Sequence, residues 1–324
     1  MEPLVEASDL SKTFAAGGFF RSRYGQAFRA VERVSLAVYP GETLALVGES
    51  GCGKSTTGRL LLGLLEPSGG RVCFQGRDLS TLGRAGLRSL RRRMQMIFQD
   101  PYGSLNPRFT VGRTLAEPLR LHLGLSGSEL SGRVARLLET VGLSPSDEGR
   151  YPHQFSGGQR QRVAIARAVA VSPDFVVADE PVSALDLSVQ GQIIRLLTEL
   201  KKSLGMAMLF ISHDLSVVRS LADRVAVMYA GRVVELAPAG RLFAGPEHPY
   251  TRLLLDSVLE AAPGKKSEHR APEAPPDNTY PATAGGCGFH GRCPLADPGC
   301  LAGIPELSEC YPEHWVACRC IHSI

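Results

Sequence analysis

The sequence predicts an α/β fold with a mostly parallel sheet, a helical subdomain inserted among its strands and a small cysteine-rich C-terminal extension. Three observations carry that prediction. A short apolar run, Thr43 to Val47, ends in a glycine-rich loop, and a periodic helical segment, Ser55 to Leu65, follows it until Pro67-Ser68-Gly69-Gly70. Strand-like runs return at Phe175 to Ala178 and Met206 to Ile211. Between them lies an amphipathic stretch, Ser188 to Leu204, closing on Gly205. Strands alternating with helices imply a largely parallel sheet.

From about residue 107 to 172 the chain turns mostly helical, with Arg133 to Val141 and Gln159 to Ala170 repeating apolar residues at three- and four-residue spacing. Ala261 to Ala284 is rich in Pro, Ala, Lys and Glu, a linker too polar and proline-rich to pack a core. The expected division is therefore a main domain over residues 1–255 and a linker with a cysteine-rich extension over 256–324.

With 324 residues, 44% of them hydrophobic and 21% charged, the chain can bury a full core. A net charge of +4 suits polyanionic small ligands and is too weak to argue for nucleic acid. The run Arg88, Arg91, Arg92, Arg93 reads as a solvated helix face ahead of the Met96-Ile97-Phe98 strand, which gives no nucleic-acid partner. Residues Met1 to Glu6 lack the basic and apolar regions of a signal peptide, and no apolar run approaches the ~20 residues a bilayer span needs. The expected location is the cytoplasm, with any membrane role supplied by partner subunits. Six of the eight cysteines (287, 293, 300, 310, 318 and 320) crowd into the tail, which favours metal ligation or free thiols over disulfides in a reducing compartment.

Gly48-Glu49-Ser50-Gly51-Cys52-Gly53-Lys54-Ser55 satisfies G-x-x-x-x-G-K-[ST] between a strand and a helix, with Thr56 completing the first turn. Backbone N–H groups would wrap phosphates, Lys54 would reach the β- and γ-phosphates, and the Ser55 hydroxyl would ligate magnesium. Phe175 to Glu180 is an apolar strand ending in two carboxylates. Asp179 would hold magnesium and Glu180 would orient or deprotonate the attacking water. His213 ends the next strand, where it would meet the γ-phosphate, and Gln99 would sense the magnesium and the water. Ser156-Gly157-Gly158-Gln159 has capping-box spacing at the start of a helix and builds a second anion site. One phosphate chain cannot easily use both sites of a single chain, so two protomers would each complete the other's nucleotide site.

These motifs, with the Ser183-Ala184-Leu185-Asp186 loop, occur together and in the order found in the ATP-binding-cassette ATPases, which the chain resembles over essentially its whole length. More narrowly, Gln95 to Pro101, Ser104 to Arg108 and His248-Pro249-Tyr250-Thr251 look like the ATPase subunits of oligopeptide, dipeptide and nickel importers. The resemblance implies a P-loop NTPase fold of the ABC type that hydrolyses ATP with Mg2+. It also implies a second ABC ATPase, identical or similar, two transmembrane permease subunits, an extracytoplasmic solute-binding protein and a place at the cytoplasmic face of the membrane. An aromatic residue near the N-terminus would stack on adenine; Phe14 is the candidate, with Phe19, Phe20 and Tyr24 as competitors. Peptide is the expected solute and nickel the alternative.

A non-transport ABC ATPase is the rival class. Translation-type members resemble two cassettes in tandem, and repair types insert long coiled coils, whereas here Lys54 and Ser156 are 102 positions apart (156 − 54) without sustained heptads. In the tail, Cys287-x-Phe289-x-x-Arg292-Cys293-Pro294 through Cys300, then Val316-Ala317-Cys318, match the C-terminal pattern of the peptide-importer ATPases. Four thiolates can hold zinc or a 4Fe-4S cluster, and spacing does not separate the two. The resemblance implies a 4Fe-4S cluster on Cys287, Cys293, Cys300 and Cys318, with Cys310 and Cys320 leaving the fourth ligand open and reduced thiols in a small packed knob as the metal-free alternative.

Overall fold

The computed structural model describes residues 1–15, 28–260 and 285–320, apart from the side chains of residues 84 and 257–260. The competitors Phe19, Phe20 and Tyr24, and the linker Ala261 to Ala284, lie outside the described residues.

Five strands, β3 (Thr43–Val47), β6 (Met94–Ile97), β7 (Phe175–Asp179), β8 (Ala207–Ser212) and β9 (Arg224–Tyr229), pair in parallel. Three more, β10 (Arg232–Pro238), β11 (Ser308–Tyr311) and β12 (His314–Val316), extend the sheet antiparallel, giving the order β11-β12-β10-β9-β3-β8-β7-β6. Beside it, β1 (Val5–Phe14), β2 (Phe28–Val38), β4 (Gly69–Phe74) and β5 (Arg77–Asp78) form an antiparallel sheet ordered β2-β1-β4-β5.

The parallel strands are predominantly apolar because both faces are covered. Side chains alternate across the sheet, so Ala45, Val47, Val176, Ala178, Met208 and Phe210 enter one core while Leu44, Leu46, Phe175, Val177, Leu209 and Ile211 enter the other. The first core is closed by α4 (Val111–Leu123), α5 (Gly127–Thr140), α6 (Gly157–Val169) and α7 (Leu187–Leu204), through residues such as Leu115, Val134, Ile165 and Leu197. In α7 the buried Ile193, Leu196, Leu197 and Leu200 keep helical spacing, and Gly205 ends the helix at φ 64°, where only glycine is unstrained. The second core holds α1 (Lys54–Leu61) against the smaller sheet. This helix stops before the expected Leu65, because Gly63 turns the chain at φ 61° ahead of Pro67. The basic run lies on α2 (Arg84–Arg93), as the sequence implied. No helix among the described residues is long and apolar enough to cross a membrane.

The C-terminal segment is woven into the main sheet. β12 pairs with β10 through Glu235↔Val316 and Leu236↔Trp315. At that seam Glu235, fully buried, accepts hydrogen bonds from the N–H groups of Glu247 and His248 and meets His314 Nε2 at 2.7 Å. Burial raises the Glu235 pKa, but the hydrogen bonds from His314, Glu247 and His248 outweigh it and hold the carboxyl below its ordinary range.

His248, 1% exposed, accepts the Tyr250 N–H at Nδ1, and burial pulls its pKa from 6.5 down to about 4 against the pull of Glu235. The unfolded chain therefore takes up a proton near pH 6.5 that the folded chain refuses until about pH 4, so stability is present above that window and is lost as the pH falls through it. The loss should reach about 3 kcal/mol. Chemical denaturation between pH 7 and 4 measures it, and His248→Asn, which keeps the acceptor without titrating, should flatten that part of the curve.

Candidate functional site

Parallel pairing puts the C-terminal ends of β3, β6, β7 and β8 at one edge, and there the chain delivers Gly48, Gln99, Asp179 with Glu180, and His213. Val47 aligns with Ser212, and Asp179 with Ile211, so the four loops start level.

The loop Gly48 to Gly53 wraps the start of α1. Gly48, Gly51 and Gly53 adopt φ of 149°, 80° and 108°. A Cβ on Gly48 would stand 2.1 Å from the Met228 carbonyl oxygen, and one on Gly53 2.2 Å from that of Ala30. Glycine at both positions follows from backbone packed against the loop's outer side. Ser50 and Gly51 are exposed at its tip, Thr56 is half-buried in the first turn of α1, and Cys52 is buried. Lys54 is 4% exposed, and its ammonium donates to the carbonyl oxygens of Gly48 and Glu49, both at 2.8 Å. Burial raises the Cys52 thiol pKa despite the nearby Lys54 ammonium, which leaves it a neutral filler.

Ser55 Oγ donates to Asp179 Oδ1 at 2.7 Å, tying the loop to the end of β7. Burial pushes the Asp179 pKa up while the Ser55 hydrogen bond opposes it. The hydroxyl and the carboxylate together offer oxygen donors, the set a hard divalent cation takes. Glu180 adopts φ 45°, rare for a residue with a side chain, and its N–H is held by the Ile211 carbonyl at 3.0 Å. Backbone strain of this kind clusters at functional positions. Gln99 Nε2 donates to Glu180 Oε2 at 2.9 Å, and His213 Nδ1 lies 3.4 Å from Oε1. The structure thus gathers Lys54, Ser55, Gln99, Asp179, Glu180 and His213 into one constellation.

Ser156 to Gln159 sits elsewhere. Ser156 Oγ accepts the Gln159 N–H at 3.3 Å, and Gln159 Oε1 accepts the Ser156 N–H at 3.0 Å, the reciprocal cap that the spacing implies. Gly157 and Gly158 pack towards Leu185 and Val189, in the loop that follows Glu180 and the start of α7. Phe14 ends β1 opposite Phe28, half-buried against the second core, with Lys12 Nζ 5.5 Å from its ring centre.

In the tail, Cys287, Cys293, Cys300 and Cys318 all lie within electrostatic reach of one another, and burial is the largest influence raising the thiol pKa of Cys287, Cys293 and Cys318. The tightest set of ligating atoms is different: Asp297, Cys300 and Cys320 lie within 4.8 Å of one another. Cys310 is turned away, donating to the His314 carbonyl oxygen and sensing Glu247 and Glu235.

Two residues outside the expected site set touch the glycine-rich loop. Tyr250 Oη accepts the Glu49 N–H at 2.9 Å, and Arg292 grips the Glu49 carboxylate. Both stand in motifs visible in the sequence, but their pairing with a residue some 200 positions away leaves no periodic or spacing signal.

Residues 31–183 match the family model described as ABC transporter, and residues 234–300 match that of the oligopeptide/dipeptide transporter C-terminal region. The chain is 47% identical over 98% of its length, and 97% of the relative's, to the oligopeptide transport ATP-binding protein AppF of Bacillus subtilis. It is 52% identical over 83% of its length to the glutathione import ATP-binding protein GsiA of Escherichia coli, of which it spans 43%. Among solved structures, a dimeric ATP-binding cassette in a post-hydrolysis state with ADP and Pi superposes with a TM-score of 0.65 at 30% identity, covering 72% of this chain and 98% of that one. CbiO1 of Clostridium perfringens, part of a CbiONQ transporter complex, gives 0.64 at 27% identity, covering 75% and 92%.

Gly53→Ala should destabilise the chain by about 2 kcal/mol or more, because the methyl meets a backbone oxygen at a positive φ. A thermal unfolding midpoint equal to the parent's would contradict the packing of Ala30 on the loop.

Proposed function

The chain belongs to the ATP-binding-cassette family of transporter ATPases, and we propose that it is the ATP-binding and ATP-hydrolysing subunit of a peptide importer. The observation that carries the reading is the Glu180 carboxylate, held between Gln99 and His213 one residue beyond the Ser55–Asp179 pair. The C-terminal match is named for oligopeptide and dipeptide transport, which favours peptide over nickel.

The loop suits a phosphate chain and the Ser55–Asp179 pair suits magnesium, since both present the donor types that each requires. Bound Mg-ATP supplies the phosphoanhydride to be cleaved and the cation that offsets its charge. Lys54 shifts from loop carbonyls to phosphate oxygens. Ser55 and Asp179 would hold the cation. Glu180 accepts a proton from the attacking water at a carboxylate oxygen, and Gln99 at Oε2 and His213 at Oε1 keep the carboxylate aimed. Phe14 is the proposed adenine platform. Glycine N–H groups behind Ser156 offer a second anion site, which serves the nucleotide of the opposite subunit in the dimer. Transport then requires two permease subunits and an extracytoplasmic solute-binding protein, with this chain at the cytoplasmic face of the membrane. The proposed domain division is an ATPase domain over 1–255, containing the helical subdomain at about 107–172, and an extension over 256–324.

We retain Cys287, Cys293, Cys300 and Cys318 as the proposed ligands of a 4Fe-4S cluster on the tail's resemblance to the peptide-importer pattern; the ligating atoms within 4.8 Å of one another are those of Asp297, Cys300 and Cys320, so Cys320 competes for the last position.

Glu180→Gln should bind ATP as the parent does while hydrolysis falls about 10²- to 10⁴-fold. Phosphate release measured with the transporter partners decides it, and undiminished turnover removes Glu180 from the role. Anaerobically purified chain should be brown with about four irons and about four sulfides. Colourless protein with about one zinc replaces the cluster with a structural zinc site, and metal-free protein with titratable tail thiols ends the metal proposal.

A further inference from the structure

The cysteine-rich segment reaches the phosphate-binding loop through one side chain. Arg292 Nη1 and Nη2 donate to Glu49 Oε2 and Oε1, both at 2.9 Å, a forked pair in which two parallel bonds fix direction as well as distance. Only 15% of the Arg292 side chain and 29% of the Glu49 side chain are exposed, so solvent screens the pair incompletely. The same contact raises the Arg292 pKa, chiefly through the Glu49 hydrogen bonds, so the guanidinium stays charged.

Behind the fork stands an aromatic floor that fixes its origin. Phe289, three residues earlier and 2% exposed, packs edge-on to Tyr229 at 5.2 Å and against Tyr250 at 5.5 Å between ring centres. Tyr229 is the last residue of β9, next to β3, and so stands at the same sheet edge as the loop. Tyr250 closes the circuit by accepting the Glu49 N–H. Glu49 is thus held at both ends by the C-terminal region, its N–H by Tyr250 and its carboxylate by Arg292. Its carbonyl oxygen meanwhile carries the Lys54 ammonium.

The charge matters as much as the anchor. Glu49 is a carboxylate inside a loop that has to receive a polyanion, and an unpaired negative charge there would repel it. We propose that Arg292 is a positioning residue for nucleotide binding: its guanidinium neutralises Glu49 and pins the second residue of the phosphate-binding loop. This deepens the reading of the site as an ATP site and rests on it.

The test is equilibrium binding of ATP to the full-length chain, with KM and kcat measured in the assembled transporter. Arg292→Ala should weaken ATP binding and raise KM roughly tenfold, with kcat at saturating ATP lowered much less, because the reacting groups are untouched. Arg292→Ala combined with Glu49→Gln should recover most of that loss, since it removes the uncompensated carboxylate. A merely structural role for Arg292 would show no such rescue. Arg292→Lys keeps the charge and the surrounding fold but not the fork, and should lose about threefold.

Parental affinity in Arg292→Ala or Arg292→Lys, or no rescue in the double variant, overturns the proposal. Failure of the parent chain to bind ATP would instead overturn the reading of the site itself.

Discussion

Parallel hydrogen bonding between β6, β7, β8, β3 and β9 is the constraint from which the site follows. Strands that run the same way finish at the same edge, and four of them, β3, β6, β7 and β8, lead into a site residue as they end. Because the sheet is covered on both faces, its parallel strands are largely apolar, and the functional residues gather where they end, at Gly48, Gln99, Asp179 and His213. Chemistry is thereby confined to a line where backbone turns out of the sheet. The strained φ of Glu180 is tolerated because the Ile211 carbonyl and the Ser55–Asp179 bond hold its surroundings.

The antiparallel additions serve a different purpose. β10 and β12 bring a buried glutamate and a buried histidine together, with His314 Nε2 2.7 Å from a carboxylate oxygen of Glu235. Glu235 also collects two backbone N–H groups from the turn that carries His248, so one carboxylate ties the sheet, that turn and the terminal hairpin into a unit. The C-terminal segment is held by this pair and by Phe289, and it can present Arg292 to the loop because its own position is fixed twice over.

Electrostatics at the site divide along burial. Lys54 and Asp179 are inside, and both hold the glycine-rich loop region through neutral partners, the Gly48 and Glu49 carbonyls and the Ser55 hydroxyl. His213 and Gln99 are exposed and address Glu180 from the solvent side. An open face above buried anchors is the geometry expected where a second subunit closes over the nucleotide, and the dimeric relative of solved structure has the same fold.

Local chemistry wrote much of this into the chain. The strand from Thr43 to Val47, the cap formed by Ser156 and Gln159, the helix from Leu187 to Leu204 and the phosphate-binding loop each depend on residues a few positions apart, so spacing and residue type sufficed to place them. The carboxylates ending β7 were legible for the same reason. Other features depended on the assembled sheet: Gln99 and His213 converging on one oxygen pair, Glu235 meeting His314 across 79 positions, and Arg292 gripping Glu49 across 243. A contact between distant residues leaves no period in the sequence, because it is set by which strands become neighbours and by which side chains their shared edge brings within hydrogen-bonding distance.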